Sequence, residues 1–166
     1  MIGTTVPWNA AWSGEDAGWE VRPCRFAQGR YALYQPHKPG VGKPLFAEPH
    51  IVRQRRSIAE MRCTVCGERT KPGERYWFGH GNETEGFYMT TESPVHLACA
   101  THAKRVCPHL RAGRGEPELF PEGATMLASV LKPESLLSLY GLSSPHLVVG
   151  HLKLAWPMSQ IRRVRF

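Results

Sequence analysis

Cys63 and Cys66 stand three positions apart with Gly67 directly after the second, and His96 and Cys99 repeat the interval about thirty residues later. No other feature constrains the fold as tightly. Two thiolates at this spacing grip one ion, because the tight turn between them points both sulfurs inward. The glycine lets backbone amides turn toward the sulfurs and offset part of their charge. At the second pair, positions i and i+3 share one face of a helix, so a first helical turn presents both groups to one point. The positive end of that helix favours thiolate. Three thiolates and one imidazole are a tetrahedral zinc set, with Cys63, Cys66, His96 and Cys99 as ligands. His102 lies one turn beyond Cys99, and Cys107 and His109 follow. Any of the three can replace His96 or build a second site, although Cys107 also reads as a small core residue and His109 as a capping or surface group. Four protein ligands leave no open position, so the expected zinc is structural.

The cysteine count supports metal over disulfides. Five is odd, and four of the five fall between residues 63 and 107, with Cys24 alone outside. The start of the chain has no basic region followed by an apolar stretch, so the expectation is a reducing, cytoplasmic setting. No apolar run reaches the eighteen residues of a membrane helix. The length of 166 residues suits one compact domain, and 16 Gly with 14 Pro predict many turns and short elements.

Around the cysteines the sequence predicts an α+β protein in three stretches. Residues 1–60 are rich in Trp, Pro and Gly, with short strands near residues 19–23 and 30–35, a loop over 37–44 and a basic helix over about 50–62. Residues 61–112 form the zinc module. Two aromatic runs, 74–79 and 85–90, predict a β-hairpin through Gly79, Gly81 and Asn82. Ser93 and Pro94 read as an N-cap and first residue of a helix ending before Pro108. Residues 113–166 begin as a loop and pack on the core. Met126, Leu127, Val130 and Leu131 predict two helical turns, 133–140 a short helix stopped by Gly141, and 147–156 two strands around Gly150.

A CxxC knuckle, a hairpin-sized spacer and HxxC opening a helix together resemble the treble-clef zinc finger superfamily over residues 61–109. That resemblance implies a small zinc-stabilised module. The stretch from Pro94 to Leu110, with Gly42 to Phe46, the basic run Arg53 to Arg56 and the knuckle, is also similar to uncharacterised zinc-finger proteins of actinobacteria and their phages, which implies context and no activity.

The formal charge of +7 is concentrated near the cysteines: about half of the 21 Lys and Arg lie between residues 53 and 114. Arg53, Arg55, Arg56, Arg62, Lys104 and Arg105 are the candidate phosphate contacts, with Tyr76 and Trp77 as aromatics that stack on bases or fill the core. The expected function is non-catalytic: a zinc-binding module acting on nucleic acid or beside a protein that handles it, with a phage origin as one expected source. The alternative is an adaptor that regulates a host or phage enzyme. A third reading is an HNH-like nuclease, built on the same scaffold, in which His80, Asn82 and His102 take the suggestive places. Against it, Gly79 stands where an acidic residue normally precedes the His, and the later Asn is missing. Gly40, Gly42 and Lys43 fail as a phosphate loop, since His37 and Pro44 replace its first glycine and its hydroxyl. Cys24 has no base nearby in sequence, and Trp8, Trp12 and Trp19 read as core or lid residues.

Overall fold

The fold is described by a computed structural model covering residues 6–79, 81–113 and 115–164. The chain is mixed α+β, and one strand organises it. β10 (Val148–Pro157) runs through the middle of the main sheet, and strands from all three stretches of the sequence join it. β9 (Thr125–Leu131) pairs antiparallel along one of its edges, from Leu131 opposite Val148 to Thr125 opposite Ala155. The other edge is shared. β3 (Tyr31–Tyr34) pairs parallel at Val149, and β7 (Phe87–Thr90) pairs antiparallel from Leu154 to Pro157. β2 (Glu20–Pro23) extends the sheet beyond β3, and β6 (Asn82–Thr84) extends it beyond β7. β1 (Ala10–Trp12) and β4 (Pro44–Pro49) form a separate antiparallel pair, as do β5 (Tyr76–Trp77) and β8 (Glu118–Leu119).

Sharing one edge leaves a gap opposite residues 150–152, where the register against β9 also shifts. α1 (Ile51–Glu60) fills it with side chains. Gln54 Nε2 donates to Leu152 O at 2.8 Å, and Gln54 Oε1 accepts from Leu152 N at 3.1 Å. Arg55 donates to the carbonyls of Gly150 and Leu33. The helix therefore supplies the hydrogen bonds that a strand would otherwise make. Buried backbone groups cannot be left unpaired without a cost of about 1–3 kcal/mol each, and this explains so polar a buried helix face. Gly150 stands at the irregularity, and a Cβ there would press on Leu131.

The main core lies below the sheet, where Trp77, Tyr88, Phe120 and Trp156 pack ring against ring with Ile58, Leu152 and Leu154. A second core gathers Leu33, Leu136 and Val148 under α4 (Pro133–Tyr140), which ends at Gly141 in the left-handed conformation. A third is smaller: Cys63, Val95, Cys99 and Ala100. Among the described residues no helix is long and apolar enough to cross a membrane.

Several expectations need correction. Residues 126–131 are strand β9: Met126, Ala128 and Leu131 turn inward while Leu127 and Val130 stay exposed, an alternation their clustered spacing concealed. Residues 148–157 are one irregular strand, not two. The two aromatic runs do not pair with each other. The hairpin is β6–β7, closed by Glu85 and Gly86, both at positive φ as a two-residue primed turn requires. β5 instead bonds β8 and Val95. Because Val95 is held in that bridge, the following helix, α2 (Leu97–Val106), starts later than Ser93 suggests, and Ser93 Oγ donates to Arg62 O. α3 (Pro108–Gly113) follows α2 directly, a helix not expected from the sequence.

Candidate metal centre

The knuckle is built by a turn that closes on itself. Gly67 N donates to Cys63 O and Cys63 N to Glu68 O, both at 2.8 Å. Gly67 has φ +80°, and a Cβ there would lie 2.7 Å from the Trp8 ring. Glycine therefore serves two needs at this position: the left-handed turn and the close approach of an indole. Trp8 N and Asn9 N donate to Val65 O and Thr64 O, so the segment leading into β1 lies along the knuckle. His96 is the N-cap of α2 and Cys99 its third residue, which places the second pair at the helix's positive end.

The four groups that the spacing singles out come together. The Sγ atoms of Cys63, Cys66 and Cys99 and a ring nitrogen of His96 all lie within 4.8 Å of one another, in a pattern that can hold a metal ion. His96 Nδ1 is 3.4 Å from Cys66 Sγ and 3.9 Å from Cys99 Sγ. On the far side of the ring, His96 Nε2 lies 3.2 Å from Arg69 O. A carbonyl only accepts, so this contact fixes the proton on Nε2 and leaves the Nδ1 lone pair facing the sulfurs. Metal-binding histidines are oriented by such an outer contact.

The electrostatics also fit a cation. Burial pushes the Cys63 thiol up from its ordinary range, and backbone N–H groups of Cys66, His96 and Val65 partly offset this. Cys99 is pushed up to about 12 by burial and then by the neighbouring Cys63 and Cys66. Three thiolates this close repel one another, and a divalent ion among them reverses that balance. Cys107 is half-buried at the end of α2, His109 is exposed on α3, and His102 Nδ1 faces Arg105; none of the three joins the cluster.

The candidate phosphate contacts divide sharply. Arg55 is fully buried, and Arg53 is 3% exposed, so neither guanidinium lies on a surface that a phosphate can reach. Arg53 donates to both oxygens of Glu15 at 3.0 and 2.8 Å and to Ala10 O at 2.7 Å. Arg56 and Arg62 share Glu60, and Lys104 pairs with Glu116. Arg105 on α2 and Arg111 on α3 are exposed without a carboxylate partner among the described residues. A run of arginines in sequence thus became three environments, because α1 turns one face into the protein. His80 and Arg114 lie outside the described residues. Asn82 is exposed on the edge strand β6.

Sequence reasoning missed a second cluster, Glu15, His37 and His50, also within 4.8 Å. It is closed by hydrogen bonds. The Glu15 carboxylate also accepts from Trp12 N and Lys38 N. His50 donates to Pro36 O and accepts from Arg53 N. The Arg53 guanidinium already sits between Glu15 and His37, where a metal ion would have to stand. The cluster joins the short 3-10 turn after β1, the 36–38 loop and the N-cap of α1. Comparisons with protein-family models, with curated proteins and with solved structures find no match for this chain.

Proposed function

We propose that the Cys63, Cys66, His96 and Cys99 cluster is a structural zinc site of treble-clef type, and that the protein is a non-catalytic binding module. The observation that carries this reading is the His96 ring, held by Arg69 O so that Nδ1 faces three cysteine sulfurs. Three soft sulfurs and one imidazole suit zinc, and four protein ligands leave no position for substrate. The adjoining core is small, so an ion is needed to hold the knuckle, the adjoining N-terminal segment and α2 together.

Nucleic acid is the partner we favour. α2 and α3 carry no Asp or Glu of their own, and their Arg105 and Arg111 are exposed without a carboxylate partner among the described residues, whereas the neighbouring Lys104 pairs with Glu116. The adaptor reading has one observation of its own: Leu137, Leu139 and Leu147 are 61%, 69% and 76% exposed.

Metal analysis of the purified protein tests the core of the reading: about one zinc per chain is expected, and cobalt substitution should give the visible absorption of a tetrahedral thiolate site. Absence of metal together with normal folding of Cys63→Ser overturns it. Retention on DNA should fall steeply with salt and weaken in an Arg105→Ala, Arg111→Ala variant. No retention at low salt transfers the weight to the adaptor reading, which a pull-down with nucleic acid digested then tests.

A further inference from the structure

Outside the cysteine cluster, β1, β4, the start of α1 and the end of α4 enclose an open groove of about 310 Å³. Its walls are aromatic and acidic. Trp19 and Tyr140 face each other with ring centroids 4.9 Å apart and planes tilted by 51°. Asp16 and Glu48 line the same groove, and no Lys, Arg or His does so among the described residues. Neither carboxylate has a salt-bridge partner among the described residues. This is notable in a chain of net charge +7.

A second observation is independent of the charges. Gln35 lines the groove and is 4% exposed. Its Oε1 accepts from Ile51 N at 3.0 Å, while its Nε2 makes no hydrogen bond within the protein among the described residues. That nitrogen opens onto the groove at the end of an otherwise buried side chain, so it can donate to an acceptor there, a water or a ligand carbonyl.

We propose that this groove binds an organic cation, an alkylammonium or guanidinium group, seated on Trp19 and Tyr140, balanced by Asp16 and Glu48, with Gln35 Nε2 donating to a carbonyl of the ligand. A cation over aromatic faces is attracted by their negative quadrupoles, and the carboxylates supply the countercharge. An opposing field comes from the N-terminus of α1 at Ile51. It amounts to about half a positive charge and is already met by Gln35 and His50, whereas the carboxylates supply two full negative charges. The groove is separate from the cysteine cluster, and the inference stands without the zinc reading.

Ligand-observed NMR on the full-length protein provides the test, with N-acetyl-lysine amide, N-acetyl-arginine amide, butylamine and the neutral N-acetyl-norleucine amide. Binding of the charged amides, weakened by salt and absent for the norleucine compound, is expected. Tighter binding of N-acetyl-lysine amide than of butylamine identifies a peptide side chain as the source, and equal binding a free amine. Asp16→Asn with Glu48→Gln, both at exposed positions, should weaken binding roughly tenfold. No binding by any cation, equal binding of the norleucine compound, or unchanged affinity in the double variant overturns the proposal.

Discussion

Gln54 holds Leu152 by both ends of its side-chain amide, donating to the carbonyl at 2.8 Å and accepting from the N–H at 3.1 Å. The same Nε2 also reaches Thr91 O at 2.8 Å. One side chain on α1 thus takes the place of a strand residue where β3 has ended and β7 has not yet begun. The main sheet depends on it.

Gln54→Glu tests this dependence with almost no change of shape. A carboxylate accepts from Leu152 N, but it has no proton for the carbonyls of Leu152 and Thr91. We expect a loss of about 3 kcal/mol in unfolding free energy, read from the denaturant midpoint at an unchanged slope. A loss under about 0.5 kcal/mol, the size of an ordinary surface substitution, refutes the role.

Arg53 and Glu15 form a buried ion pair, so Arg53→Ala should cost about 3–5 kcal/mol by leaving Glu15 charged without its cation. Replacing both partners, Glu15→Leu with Arg53→Met, should recover only part of that loss. Trp12 N and Lys38 N still lose their acceptor, at about 1–3 kcal/mol each if they stay dry. Full recovery in thermal or denaturant unfolding contradicts the assignment of Glu15 as a backbone acceptor.

His50 gives stability a definite pH dependence. Burial and then the Arg53 charge hold its pKa down to about 4 from an ordinary 6.5, with His37 opposing protonation and Glu15 and Pro36 O favouring it. The folded state therefore binds fewer protons than the unfolded chain between these values. Its contribution is complete above about pH 6.5 and is lost as pH falls toward 4, by up to about 3 kcal/mol. Glu15, whose pKa is also lowered, acts below its ordinary value of 4.5 and falls outside most of that window. His50→Asn, which keeps an N-cap acceptor, should flatten the slope between pH 6.5 and 4 relative to wild type. Parallel pH profiles for the two proteins refute the assignment.

Gly67→Ala should destabilise by about 1–3 kcal/mol and weaken metal affinity, because the left-handed turn and the Trp8 ring both oppose a methyl group. Combining it with Trp8→Ala removes the collision but not the backbone strain. The substitution should then cost less against the Trp8→Ala background than against wild type. Metal competition titrations and thermal unfolding of the four proteins measure this coupling, and strict additivity argues against the contact.

The candidate metal cluster was legible because its information is local. Three-residue intervals, a glycine after the knuckle and a histidine at a helix start need only short-range geometry to bring four donors near one another. Helices α1 and α4 were legible for the same reason, one from its polar and apolar spacing and the other from Pro133 and Gly141 at its ends. Neighbours distant in sequence decided the rest. Residues 126–131 became a strand because β10 offered them an edge, and Val95 was drawn into a bridge with Tyr76, which moved the start of α2 to Leu97. Arg53, Arg55 and Arg56 read as one basic run. Only the packing of α1 against β1, β3 and β10 decided that the first two serve a carboxylate and three carbonyls inside the protein. The sequence by itself determined where a metal can be held, since ligand spacing is a property of one or two turns. The tertiary structure alone decided which charges face water, since burial depends on chain that lies up to a hundred residues away.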